Sequence, residues 1–159
     1  MCTTAEYARV SGIPWNAQRT SITSAVFAGD MAGVGPLNMC YWFNGCSKLK
    51  SVTGWENLKD VCLMKYTFSN DTALPSLDLR GFDGSGVTDW GSCFGSCSSL
   101  TTITVDPTWS VSASASGFGM FSGCKMLVGG NGTAYDSSKS DQKMMVIDKE
   151  GQPGYLTAG

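Results

Sequence analysis

The chain has 159 residues, enough for one domain with a real core and too few for two comfortable ones. Only 15% of residues are charged and the net charge is −2, so the basic stripe of a nucleic-acid binder is missing. Histidine is absent, which removes the usual general base and the commonest metal ligand together.

No run of about 18 apolar residues is present, so no segment is expected to insert in a membrane. The opening "MCTTAEYARVSG" has no basic region followed by an apolar stretch, so no signal peptide is visible. These first dozen residues carry no pattern and are expected to be mobile. Residues 1–37 read as an N-terminal cap. Within it, "SITSAVF" supplies a first strand with Ile22 and either Val26 or Phe27 inward, and the Gly-rich "AGDMAGVGP" follows.

Residues 38–128 hold an internal repeat. Phe-x-x-Cys-x-x-Leu occurs as Phe43-Cys46-Leu49, Phe94-Cys97-Leu100 and Phe121-Cys124-Leu127, while Phe68-Asp71-Leu74 keeps the outer two residues. The phenylalanines lie 25, 26 and 27 residues apart. Four copies at a nearly constant period make a structural unit of about 26 residues. Four residues before each Phe stand Met39, Met64, Trp90 and Gly117; one residue before stand Trp42, Thr67, Cys93 and Met120. That spacing predicts one face of a short helix. Alternation after the Leu, as Leu77 and Leu79 or Ile103 and Val105, predicts a half-buried strand. Bulky aromatics (Trp55, Phe82, Trp109) then precede the next unit.

Such a unit cannot bury its apolar face alone, so near-copies must stack. The expected fold is an α/β, β-rich solenoid of four repeats, leucine-rich-repeat-like and right-handed, with a parallel sheet and β-rich terminal caps. Residues 129–159 form the C-terminal cap: "GGNG" is a turn, and "MMVID", "KEGQPG" and "YLT" predict a β-hairpin over the last strand edge. The whole chain, 1–159, is expected to be one repeat domain.

"VTDWGSCFGSCSSLTTI" and "LPSLDLRGFDGSGVTD" resemble the BspA-like leucine-rich repeat, also known as the DUF285 or Mycoplasma-type surface repeat. The resemblance runs from about Trp15 to the end. It implies a bacterial surface or secreted protein that adheres to host components or other cells. Departures lie at Asp71 for Cys, at Trp90 for Met, and in "KDVCLMKY" and "ASASGFGM".

Seven cysteines are an odd number, so complete internal pairing is impossible. Cys46, Cys97 and Cys124 share one register and read mainly as a ladder of small buried thiols. A Cys97–Cys124 disulfide is the alternative if neighbouring units bring them within reach. Cys93-x-x-x-Cys97 without histidine is a weak metal signal, so no metal or cofactor is expected. A Ser or Cys nucleophile would have no imidazole partner, so no enzyme is expected.

Two outward faces remain as binding candidates. The first lies on the expected helices, at Cys40, Tyr41, Lys65, Tyr66, Ser92 and Phe118, where aromatic and thiol residues replace the usual Glu and Lys. The second is the strand face of Thr53, Asp78, Arg80, Thr102 and Thr104. Exposed aromatics on a rigid frame suit non-catalytic recognition of a protein or glycan ligand. A variable display or self-assembling scaffold is the other reading, since the positions before each Phe accept diverse residues. It brings self-association as a further partner class.

Overall fold

A computed structural model describes residues 12–29 and 36–159. The unpatterned start of the chain, 1–11, lies outside them, and so does most of the Gly-rich cap stretch, 30–35.

The residues around each repeat Phe do not form an α-helix. They form a ribbon of consecutive turns, and alternate N–H groups have different destinations. In the second repeat, Thr67, Ser69 and Asp71 donate to the carbonyls of Met64, Tyr66 and Phe68, three residues back. Between them, Tyr66, Phe68 and Asn70 donate across to Gly91, Cys93 and Gly95 of the next repeat, at 2.9, 2.8 and 2.7 Å. Tyr41, Phe43 and Gly45 reach Lys65, Thr67 and Ser69 in the same way, and Ser92, Phe94 and Ser96 reach Phe118, Met120 and Ser122. Half of the ribbon's backbone donors are thus satisfied only by a neighbouring repeat, so a single unit would leave them unpaired.

Left-handed backbone makes this alternation possible. The residue two before Phe has positive φ in every repeat (Tyr41 66°, Tyr66 56°, Ser92 50°, Gly119 64°). The residue two after has it as well (Gly45 73°, Asn70 66°, Ser96 62°, Gly123 82°). An α-helix tolerates neither. Among the described residues there is no α-helix, and the three named helical turns are 3-10 segments at Asn16–Ser21, Trp55–Asn57 and Gln142–Met144. The α/β expectation therefore gives way to a β-rich chain. The i, i+3, i+4 spacing was met by turns instead.

Among the described residues, seven short strands flank the ribbons: β1 (Ser24–Val26), β2 (Leu37–Asn38), β3 (Ser51–Thr53), β4 (Val61–Leu63), β5 (Ser76–Asp78), β6 (Thr102–Val105) and β7 (Leu156–Ala158). They pair in small parallel sheets, β1 with β3, β2 with β4, and β5–β6–β7. Single parallel bridges Leu63↔Asp89 and Asp89↔Ser116 carry the β4 edge through the last two repeats.

The four phenylalanines line up in one interior column. Phe43–Phe68, Phe68–Phe94 and Phe94–Phe121 have centroids 5.5, 5.7 and 5.6 Å apart and planes within 17°, 2° and 10° of parallel. Contacts of this kind contribute about 0.5–1.5 kcal/mol each beyond the burial of the rings. Trp55, Phe82 and Trp109 form a second column that starts from Phe27, with centroid steps of 5.1, 5.4 and 6.3 Å. In the N-terminal cap, Phe27 and Ile22 pack on the core while Val26 is 68% exposed, so Phe27 is the inward residue.

Tyr155 closes the Phe column at the other end, edge-on to Phe121 at 5.2 Å. The expected terminal hairpin shrinks to a tight turn with the antiparallel bridge Lys149↔Gln152. Beyond it, β7 runs parallel to β6 in the register Ile103↔Leu156, Thr104↔Thr157, Val105↔Ala158. The open edge of β6 offers a parallel ladder, and Leu156 in that register is fully buried. Buried Asp148 pins the turn by accepting from the Asn131, Thr133 and Gly154 N–H groups and from the Thr133 hydroxyl.

Candidate recognition face

Because equivalent residues stack, the outward position two before each Phe forms a column of its own: Tyr41, Tyr66, Ser92, Gly119. The two tyrosines are half-buried and stacked, with centroids 5.0 Å apart and planes 16° from parallel. Burial pushes the Tyr41 phenol above its ordinary range, with the neighbouring Tyr66 adding to the effect. Exposed Lys65 holds its Nζ 5.8 Å from the Tyr66 ring centroid, at the outer limit of a cation–π contact.

The column stops at Ser92. Past Tyr66 a shallow cavity of about 210 Å³ opens, lined by Lys65, Tyr66, Asp89, Gly91, Ser92, Ser116 and Phe118. Phe118 is 90% exposed, the most exposed large apolar side chain among the described residues. Asp89 accepts the Gly91 N–H on Oδ1 at 2.8 Å. A Cβ on Gly91 would lie 3.0 Å from that oxygen and 3.6 Å from the Lys65 side chain, so this floor must stay small.

Five of the six residues expected on this face are together there: Tyr41 and Tyr66 as a stack, and Lys65, Ser92 and Phe118 around the cavity. Cys40 is not with them. It is buried at 7% exposure, and its backbone N–H donates to Asn38 Oδ1 at 2.9 Å. A helix would have turned it outward; the ribbon turns it in. Asp89 and Ser116 were missed as site residues. Both lie five residues before a Phe, in the bridge ladder after Leu63, and the change from Leu to Asp to Ser in that register was the available signal.

The strand face is more closed. Arg80 grips Asp78 with Nε at 2.9 Å and Nη2 at 2.6 Å, so the pair largely satisfies itself. The Arg80 side-chain hydrogen bond holds the Asp78 carboxyl below its usual range. Thr102 and Thr104 pair with Ser76 and Asp78, and β7 covers Thr104 through Thr157. Thr53 is exposed at the end of β3.

A family model described as "Mycoplasma protein of unknown function, DUF285" matches residues 37–150. The chain belongs to the DUF285 family. No curated protein and no solved structure matches it.

In this DUF285 chain Cys40, Cys46, Cys93, Cys97 and Cys124 are free and buried, so the Cys97–Cys124 disulfide does not form. Their thiols serve the stack: Cys97 Sγ donates to Phe68 O at 3.0 Å and Cys124 Sγ to Phe94 O at 2.9 Å. Burial pushes the Cys46 and Cys124 thiols up to about 12 and raises Cys93 and Cys97 as well. These groups stay protonated at neutral pH and are poor nucleophiles or metal ligands. Among the described residues, no cluster of three His, Cys, Asp or Glu side chains has the arrangement to hold a metal ion. No helix there is long and apolar enough to cross a membrane.

Proposed function

We propose that this DUF285 chain is a non-catalytic recognition module. In this reading it is a short, right-handed, leucine-rich-repeat-like solenoid of the BspA type, and it presents a rigid face to a protein or glycan. In the same reading that role is exercised at a bacterial surface or in a secreted protein, which is what the family resemblance implies. The observation that carries the reading is the gathering of Tyr41, Lys65, Tyr66 and exposed Phe118 on one side of a stack whose backbone is bonded between repeats. Aromatic side chains held at fixed spacing lose little entropy on binding, and aromatics dominate interface energetics. The absence of histidine, the commonest general base, and the burial that holds the Cys46 and Cys124 thiols protonated support the non-catalytic reading.

The test is a binding screen of the purified chain against glycan arrays and immobilised extracellular-matrix proteins. Lys65→Glu and Tyr66→Ala should each weaken a bound partner by about tenfold, the effect of losing a central anchor. Arg80→Ala, on the strand face, should leave the partner bound. Thermal unfolding of the same samples checks that the changes act on binding. If both turn-face variants keep every interaction, this side is not the site. Concentration-dependent oligomers in size-exclusion runs, abolished by the same variants, would replace recognition with self-assembly.

A further inference from the structure

We propose that the cavity over Gly91 and Ser92 is a slot for one neutral sugar ring, a statement that rests on the recognition reading above and narrows its ligand. Ser92 occupies the register that Tyr41 and Tyr66 fill with rings, so the face of Tyr66 toward the third repeat has no aromatic neighbour in its column. On the far side Phe118 stands almost fully exposed. A ring entering above Ser92 continues the tyrosine column and meets Phe118 at its other edge.

Size and polarity select the occupant. About 210 Å³ is below the roughly 300 Å³ at which drug-sized pockets begin, so the slot suits one ring. Beside the aromatic Tyr66 and Phe118, its lining includes polar and charged residues: Lys65, Asp89, Ser92 and Ser116. Lys65 and Asp89 form no ion pair with each other, and Asp89 Oδ2 receives no hydrogen bond from the described residues. An aromatic side chain from a protein partner would desolvate both charges without replacing their hydrogen bonds to water. An anionic ligand would meet Asp89. A pyranose offers apolar C–H faces to Tyr66 and Phe118, and hydroxyls that both donate to and accept from the polar lining.

The experiment uses the full chain and the methyl glycosides of glucose, galactose, mannose and N-acetylglucosamine as probes, read by saturation-transfer NMR and by titration of the aromatic resonances. At least one probe should receive saturation and shift the Tyr66 and Phe118 signals. Ser92→Tyr should abolish the effect or weaken it at least about tenfold by filling the slot, and Phe118→Ala should weaken it severalfold. Tyrosine is already accommodated at this backbone geometry in two repeats, with φ of 66° at Tyr41 and 56° at Tyr66, against 50° at Ser92. If Ser92→Tyr nevertheless melts early, Ser116→Trp blocks the slot from an exposed position. Absence of binding by every probe, or binding unchanged in the blocking variants, overturns the slot. If no sugar binds but a protein partner is lost on Tyr66→Ala, the slot is overturned while the recognition face stands. If sugar binding is lost on Arg80→Ala and kept in Ser92→Tyr, both fall.

Discussion

Asp71 shows what the repeat does to a single residue. It stands in the slot that cysteine fills in the other three repeats, is fully buried, and neither carboxyl oxygen has a hydrogen-bond partner among the described residues. In the third and fourth repeats the thiol of this slot donates to the preceding repeat's Phe carbonyl. Burial pushes the Asp71 carboxyl up to about 9 from an ordinary 3.8, so the folded chain holds it as a neutral acid. Between about pH 4 and pH 9 the unfolded chain has released this proton and the folded chain retains it. The group's contribution to stability is therefore intact below about pH 4 and declines as pH rises toward 9, by up to about 1.4 kcal/mol per pH unit. Asp78, Asp83, Asp136 and Asp148 have lowered carboxyls and act in the opposite sense, their contributions fading in acid. The comparison that isolates Asp71 is urea unfolding of wild type and Asp71→Cys across this range. The variant should be more stable at pH 7 by about 1–3 kcal/mol and should lose most of the downward slope. Identical pH profiles for the two proteins would mean that Asp71 is not held protonated.

The turn ribbon is the element that sequence patterning misreads. Apolar residues at i, i+3 and i+4 fit a helix, and Met39, Met64, Trp90, Cys93 and Met120 are all fully buried as that pattern requires. What the periodicity does not carry is backbone handedness. The clue lay two residues after each Phe, where three of the four repeats carry Gly45, Asn70 and Gly123, residue types that tolerate or favour left-handed backbone. Reading the stretch before each Phe as a helix reversed the direction of Cys40. The ribbon makes a direct prediction. Ser96 sits at φ 62° where two other repeats use glycine, so Ser96→Gly should stabilise the fold by about 0.5–1 kcal/mol, the left-handed strain removed less the extra freedom of glycine when unfolded. Chemical denaturation measures it. A loss of stability, the usual result of placing glycine inside regular structure, would mean that the ribbon does not have this backbone.

At the scale of the whole molecule, the stack was legible because its cause is written four times: a phenylalanine every 25 to 27 residues, with small residues around it and an aliphatic residue six later. The caps were less legible because each occurs once. The C-terminal segment has hairpin turn chemistry, yet its last strand extends a parallel sheet, since an open β6 edge outcompetes a local partner. Everything proposed for the outer face depends on the interior column that fixes its spacing. Nuclear Overhauser spectroscopy on a sample labelled only in the phenylalanine rings tests that column directly. Cross-peaks should connect Phe43 with Phe68, Phe68 with Phe94, and Phe94 with Phe121, with none between Phe43 and Phe94. Missing neighbour cross-peaks, or contacts that skip a repeat, would contradict the account.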